Sequence, residues 1–419
     1  MYRKTTLDNG VRIITEAMPA VRSASLGIWA DVGSAAEGRE QRGISHLVEH
    51  MLFKGTPRRT ARAIAEEMDG VGGNLNAFTD KEATCYYAKV IDHHVVLASD
   101  VLSDMFLNSL FDAAELEKEK NVVLEEIKMY DDSPDELIHD LFIQTMWSGA
   151  NLGEPTIGFA DTVSAVTREH LREHMRAHYA PNSVVVAAAG NVDHDGVVAL
   201  FEKHFAHYKG SCELPVPEAP RTTPSHTFRH KDSEQAYLVL GTQGVSVRDD
   251  RRYVLSVMDT ILGGGMSSRL FQEIREKRGL VYTVYSFQAA YRSAGLFAVY
   301  AGTSPKHVQE CIDVIEEQFA LLRDKPVAEH ELRLAKEHIK GNLTLSLEST
   351  SARMIRLGRS EFSLGRQLTT EEIEEEVDAV TAEQIQELAR ELLAEKNLGL
   401  CVLGPVDEAQ IQWNNRSAA

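Results

Sequence analysis

Cysteine is scarce in this chain. Cys85, Cys212, Cys311 and Cys401 are the only four in 419 residues, and they lie far apart with no C-x-x-C pair. Neither a disulfide framework nor a thiolate zinc site is indicated, and reduced thiols are expected. Long apolar runs are absent too: nothing approaches the ~20 residues that a transmembrane helix requires, so no membrane partner is expected. The N-terminus, Met1 to Gly10, lacks the apolar centre of a signal peptide and passes straight into a strand–turn–strand pattern around Asp8-Asn9-Gly10. A cytoplasmic protein is the simplest reading. Basic residues are outnumbered, 44 against 63 acidic, and a net charge of −19 argues against nucleic acid, which needs basic faces. The acidic surplus serves solubility. It also suits a basic peptide as partner, with Asp131, Asp132, Asp135 and Glu136 as one contributing cluster.

What is present is an ordinary globular balance, 43% hydrophobic and 26% charged. The chain is too long for one core, and two domains of about 200 residues are expected. It also repeats itself. Val166-Thr167-Arg-Glu-His-Leu leads, 24 residues after Val166, to Gly190-Asn-Val-Asp193; Val380-Thr381-Ala-Glu-Gln-Ile leads, after the same interval, to Gly404-Pro-Val-Asp407. Each copy reads as a capped helix followed by a strand. Between the copies, four of the twelve prolines fall in residues 214–224, a stiff extended linker. The expected division is 1–210, a linker over 211–224, and a homologous half over 225–419.

The first half contains His46-Leu47-Val48-Glu49-His50, an H-x-x-E-H pentad in an apolar, helix-forming stretch that Lys54-Gly55 and Pro57 stop. Residues four apart on a helix sit one turn above each other, so His46 and His50 can point imidazole nitrogens at one cation. Glu49 is badly placed as a third ligand of that ion and well placed to take a proton from water held there. Buried without a metal, the trio would be costly. A catalytic zinc takes three protein ligands and leaves a fourth position for water, so one more ligand must come from elsewhere. The segment from Asp112 to Met129 offers candidates. Asp112 with Glu115 reads as a capping-box start, and Leu116, Val122, Val123 and Ile127 as an apolar stripe. Glu119 and Glu126 are seven apart and share a helical face, so one can bind the ion while the other supports it.

The pentad reverses the usual order of a zinc-peptidase motif. With Glu126 seventy-six positions beyond His50, and Glu119 seven before Glu126, it resembles the insulinase-like family of inverted-motif zinc peptidases. That group includes pitrilysin and, among its short-chain members, the subunits of mitochondrial processing peptidase and their bacterial homologues. The resemblance runs from about Thr5 to Pro405. It implies His46, His50 and Glu126 as ligands of one Zn2+ per chain, Glu49 as general base and Glu119 as supporting carboxylate; it implies nothing for Glu125. Asn76-Ala77-Phe78-Thr79 matches the family's edge strand beside the zinc, where a substrate peptide would add as an extra strand and be read through its backbone. Arg275-Glu-Lys-Arg-Gly-Leu-Val-Tyr282 matches an R-x6-Y pair, with Arg275 holding a peptide carbonyl and Tyr282 donating to the developing oxyanion.

In the second half Gly263-Gly264-Gly265 stands where the first has the pentad, and no second zinc set follows. The run lacks the G-K-[S/T] ending of a phosphate loop and the G-x-G-x-x-G spacing of a dinucleotide fold. The resemblance associates it with substrate handling, where backbone must pass close to a peptide. The fold implied is α+β, two homologous halves that each form a mainly antiparallel sheet covered by helices, together half of a clam-shell. A homodimer would then complete the chamber, with Arg275 and Tyr282 of one subunit serving the zinc of the other. The implied function is zinc-dependent hydrolysis of peptides. The alternative is a catalytically silent, peptide-holding or structural subunit of the same fold, in which the base Glu49 would have no task.

Overall fold

Two mainly antiparallel sheets organise the chain in the computed structural model, which describes residues 2–214 and 218–413. Part of the expected linker, residues 215–217, lies outside the described residues. The first sheet uses β1 (Tyr2–Thr6), β2 (Arg12–Ala17), β3 (Ser23–Ala30), β4 (Asn74–Thr79), β5 (Thr84–Ile91) and β6 (Val184–Gly190), in the order β1-β2-β6-β3-β5-β4. The second uses β7 (His226–His230), β8 (Ala236–Gly244), β9 (Val281–Ala290), β10 (Gly295–Thr303) and β11 (Gly399–Gly404), in the order β7-β11-β8-β10-β9. The fold is α+β. Without β1, the two orders correspond strand for strand in chain order, and the single parallel contact falls at the same place, β2–β6 and β7–β11. The repeated capped helices precede β6 and β11: Thr167 Oγ1 accepts the His170 amide at the start of Arg168–His178, and Thr381 Oγ1 accepts the Gln384 amide at the start of Ala382–Leu392.

The central strands are apolar on both faces because helices cover both. β6 reads Val-Val-Val-Ala-Ala-Ala-Gly and is buried throughout, the pattern of a strand with no solvent side. One face of the first sheet packs on helices from the first half of the chain, among them Ile44–Leu52 and Val95–Asn108. The other face presents Ile14, Trp29, Cys85, Val185, Ala187 and Ala189 to Met354, Leu357 and Phe362 of helix Thr350–Leu364. Conversely, helix Pro134–Met146 packs on β8 and β11 of the second sheet. The compact units are therefore not continuous in sequence. One comprises Met1–Lys128, Glu154–Val216 and Ser346–Gln367; the other comprises Met129–Gly153, Pro217–Leu345 and Leu368–Ala419. The duplication suggests 1–210 and 225–419 as units, whereas packing follows the exchange of one helix in each direction. No helix among the described residues is long and apolar enough to cross a membrane, and the four cysteines are unpaired.

The seat of helix Thr350–Leu364 is tight. A Cβ on Gly358 would lie 2.3 Å from Trp29 Cε2, and the indole is backed by Phe78 at 5.4 Å and Phe362 at 6.4 Å between ring centroids. Gly358→Ala is expected to destabilise the protein by ~1–3 kcal/mol through overpacking. In an exposed helix the same change would stabilise by ~1 kcal/mol, so the sign of the shift in a urea or thermal melt is diagnostic. A raised midpoint would mean that the helix does not rest on Trp29.

Candidate metal centre

The H-x-x-E-H segment forms helix Ile44–Leu52, with Ile44, Leu47, Val48, Met51 and Leu52 fully buried against the sheet. That leaves His46, Glu49 and His50, all half-buried, on the remaining face. Gly43, at φ +90°, opens the helix without a side-chain cap of its own. The cap comes from Glu37, whose two carboxylate oxygens accept the Gly43 and Ser45 amides at 2.8 Å each. Burial pushes the Glu37 carboxyl up to about 7, against the pull of those amides and of Arg42. At the other end the Lys54 amide returns to Met51 O at 3.2 Å, and Gly55 turns the chain at φ +114°.

The second element is helix Ala113–Asp132. Asp112 Oδ1 accepts the Ala114 and Glu115 amides at 2.9 and 3.1 Å, while the Glu115 carboxylate pairs with Lys118 at 2.6 Å. Leu116 and Val123 are buried and Ile127 packs against the same core. Val122 does not belong to that stripe: it is 44% exposed. Anchored this way, the helix presents Glu119 and Glu126 to the paired imidazoles, whereas Glu125 pairs with Lys128 on the exposed surface.

Glu126 Oε2 lies 3.7 Å from His50 Nε2 and 3.9 Å from His46 Nε2, and the three ligand atoms all fall within 4.8 Å of one another. Tetrahedral zinc with bonds of about 2.1 Å needs ligand–ligand edges of about 3.4 Å, so a small side-chain adjustment closes the set. Two imidazoles and one carboxylate also leave a fourth position open, and the donor set fits a catalytic zinc. Glu119 Oε2 is 3.1 Å from His50 Nδ1 and Oε1 is 2.6 Å from Lys54 Nζ. An ionised carboxylate only accepts, so His50 carries its proton on Nδ1 and turns the Nε2 lone pair toward Glu126. His46 turns Nε2 toward Glu126, while its Nδ1 is buried without a hydrogen-bond partner. Burial, with His50 beside it, pushes the His46 pKa down to about 4, which keeps the ring neutral and able to ligate at neutral pH.

Glu49 sits beside this set with Oε2 accepting the Thr79 hydroxyl at 2.5 Å. Burial raises its carboxyl above the usual range, the Thr79 bond working in the opposite sense. Thr79 ends β4, the outermost strand in the sheet order. Side chains alternate along that strand: Leu75 and Ala77 pack on the face that carries the His46 helix, and Phe78 on the Trp29 face. Asn76 is exposed, and its Oδ1 accepts the Ala77 amide at 2.8 Å. The structure thus gathers His46, Glu49, His50, Glu119 and Glu126 in one unit, with Thr79, Lys54 and Glu37 as partners that the sequence analysis did not assign. Arg275 and Tyr282 belong to the other unit. Arg275 lies in a π-helical turn, Phe271–Glu276, with its guanidinium over the rings of Phe271 and Tyr282 at 4.8 and 5.1 Å; Tyr282, on β9, is 76% exposed. Gly263 closes helix Arg252–Gly263, and Met266 in the turn that follows is 76% exposed.

A two-sheet fold with a His–His–Glu donor set beside a half-buried carboxylate defines a class of metal-binding proteins, and comparison with known proteins supplies the family. Residues 12–159 match the model described as insulinase (peptidase family M16), and residues 165–339 match that of the peptidase M16 inactive domain. The chain belongs to peptidase family M16, the insulinase family, and at the level of the family it is a metallopeptidase. It is 44% identical over 405 residues to an uncharacterized zinc protease of Bacillus subtilis, covering 97% of this chain and 98% of that one. It is 43% identical over 410 residues to an uncharacterized zinc protease of Mycobacterium tuberculosis, covering 96% and 93%. Among solved structures, a protease from Helicobacter pylori superposes with a TM-score of 0.90 at 21% identity, covering 97% of this chain and 99% of that one. A peptidase M16 inactive domain from Pseudomonas fluorescens gives 0.89 at 21%, covering 96% and 98%. Both share the fold. The match to an inactive domain falls on the part of the chain that, among the described residues, gathers no second metal-binding trio.

Glu126 and Glu49 are expected to separate by role. Glu126→Gln is expected to lower zinc occupancy, because a neutral amide is a poor ligand, whereas Glu49→Gln should leave occupancy at the wild-type level. Zinc per chain, counted after dialysis against a weak chelator, checks this; full occupancy in Glu126→Gln would assign the ligand elsewhere.

Proposed function

We propose that the protein is a zinc-dependent endopeptidase that cleaves peptides held as an added strand along β4. The observation that carries this reading is Glu49. It is a half-buried carboxylate, raised above its usual range and, among the described residues, with one oxygen free beside the candidate metal ligands, and a module that only held peptides would have no use for that free oxygen. Zinc bound by His46, His50 and Glu126 would supply Lewis-acid polarisation of the scissile carbonyl and acidify the attacking water. Glu49 takes the proton from that water and passes it to the leaving amine. Thr79 occupies Oε2 and leaves Oε1 for the transfer. The outer edge of β4 along Asn76, Ala77 and Phe78 supplies main-chain groups of alternate residues to the substrate, the Ala77 amide exchanging Asn76 Oδ1 for a substrate carbonyl, so the peptide is read by its backbone and the cleaved segment must be extended.

In this reading the chain works as a homodimer, the commonest symmetric assembly. Arg275 and Tyr282 of one subunit hold a peptide carbonyl and the developing oxyanion at the zinc of the other. The reading rests on the family resemblance and on the exposure of Tyr282. The acidic balance, 63 acidic residues against 44 basic, favours basic peptides, and four unpaired cysteines suit the reducing cytoplasm.

An unstructured basic peptide incubated with the protein should be cleaved, and a chelator should abolish cleavage. Glu49→Gln should lower turnover by ~10²–10⁴-fold while zinc stays bound. Hydrolysis indifferent to chelator, or none at any zinc level, would leave the silent peptide-holding subunit as the better description. Mixed dimers test the shared site. Glu49→Gln and Tyr282→Phe homodimers should each be nearly inactive, and their mixture should recover activity at one of two sites. A monomer in light scattering, or no recovery despite proven subunit exchange, rules that arrangement out.

A further inference from the structure

Glu119 spends both of its carboxylate oxygens. One accepts from His50 Nδ1 at 3.1 Å and the other from Lys54 Nζ at 2.6 Å. The Glu119 side chain is only 8% exposed and that of Lys54 28%. In such a setting the loss of the ammonium leaves one oxygen without a partner and the carboxylate held by a single contact, so it can rotate about its terminal bond and loosen its hold on His50 Nδ1. Lys54 therefore determines whether Glu119 keeps the orientation that His50 needs.

The chain around Lys54 is held in place by more than the end of a helix. Lys54 lies two residues past Leu52, the last residue of its helix, and the following Gly55 takes φ +114°. Gly55 O accepts the Leu110 amide at 3.1 Å, and the Ser109 hydroxyl donates to Met51 O at 3.1 Å. Thr56 Oγ1 donates to Asp104 Oδ2 at 2.8 Å. Arg59, with its side chain 7% exposed, closes the turn through Asp100 at 2.5 Å, Asp104 at 2.8 Å and Glu67 at 3.0 Å. This cluster fastens residues 51–60 to helix Val95–Asn108 and fixes the point from which the Lys54 side chain reaches Glu119.

We infer that Lys54 is a positioning residue for the metal centre: its ammonium holds the Glu119 carboxylate against His50 Nδ1 and so keeps His50 Nε2 directed at the bound ion. The inference rests on His46, His50 and Glu126 holding zinc. A plainer account is available, since a lysine just past a helix end is favoured by the helix dipole. That account concerns helix stability alone and predicts no effect on the metal.

The test is zinc affinity, measured by competition with a graded chelator, on the wild type, Lys54→Met, Lys54→Arg, Glu119→Gln and the Lys54→Met/Glu119→Gln double variant. A melting curve of each zinc-free protein accompanies it. Partners of metal-ligating histidines typically matter by 10–100-fold in affinity; Lys54→Met is expected to weaken zinc by about 10-fold, the low end, because it acts one residue further out. Lys54→Arg keeps the charge and should retain most of the affinity. The double variant should bind no worse than Glu119→Gln alone, because Lys54 acts through Glu119. Wild-type affinity in Lys54→Met, whether or not its melting point drops, overturns the inference, and so do losses that add in the double variant. If Lys54→Met does not fold, affinity at the wild-type level in a folded Lys54→Gln overturns it in the same way. A wild-type protein that binds no zinc would instead refute the metal-centre reading itself, which keeps the two failures distinguishable.

Discussion

The candidate metal centre depends on one contact, His50 Nδ1 to Glu119 Oε2, between residues 69 apart in sequence. Each helix brings its polar residues inward only because its opposite face is buried: Leu47, Val48 and Met51 on one, Leu116 and Val123 on the other. Hydrophobic burial is not directional, so it can bring the two helices together but cannot set an imidazole to within a few degrees. The carboxylate does that, accepting a hydrogen bond from Nδ1–H and leaving the Nε2 lone pair on the side where Glu126 waits. Remove the contact and the same apolar packing still gives a helix pair, but with a ring free to turn.

The other face of the sheet contributes at longer range. Helix Thr350–Leu364 covers Trp29, against which Phe78 packs edge-on; Arg359 of that helix lies over the Phe78 ring at 5.7 Å and pairs with Asp80 at 2.8 Å. Thr79 stands between these two anchored residues. An exposed ion pair is worth little in stability, yet it adds to the bracing of the strand end whose hydroxyl holds Glu49. A segment some 279 positions away in sequence thus helps to place the Glu49 carboxylate.

The parts legible in the sequence are those with local spacing. His46, Glu49 and His50 follow from one helical turn, Glu119 and Glu126 from two, and the repeat from two equal intervals. What depends on packing was not legible. Val122 and Val123 are adjacent and equally apolar, and only the packed helix shows that Val123 faces the core while Val122 faces out. Lys54 reads correctly as part of a helix stop, but its second partner lies 65 residues further on, where no pattern joins them. Glu37 caps a helix from six positions before Gly43, outside the range of any capping motif. The exchange of helices Pro134–Met146 and Thr350–Leu364 is invisible for the same reason: amphipathic periodicity says that a face will be buried and not against which sheet.

The duplication isolates what is particular to the first unit. Helix Arg252–Gly263 follows β8 as helix Ile44–Leu52 follows β3, and β9 corresponds to β4. There too a hydroxyl on the strand meets a carboxylate on the helix: the Ser286 hydroxyl donates to Asp259, whose carboxyl is likewise raised by burial. A strand–helix hydroxyl–carboxylate contact is thus not particular to the first unit, and by itself argues for nothing chemical. The difference lies in the remaining oxygen. Asp259 Oδ2 is occupied by Gln288 Nε2 at 3.1 Å, so that carboxylate is saturated by its own strand. Glu49 accepts from Thr79 alone among the described residues, and its second oxygen stays open beside two imidazoles. One unit fills its buried carboxylate with side-chain donors; the other keeps a lone pair in reserve, which is what a proton acceptor for water must have.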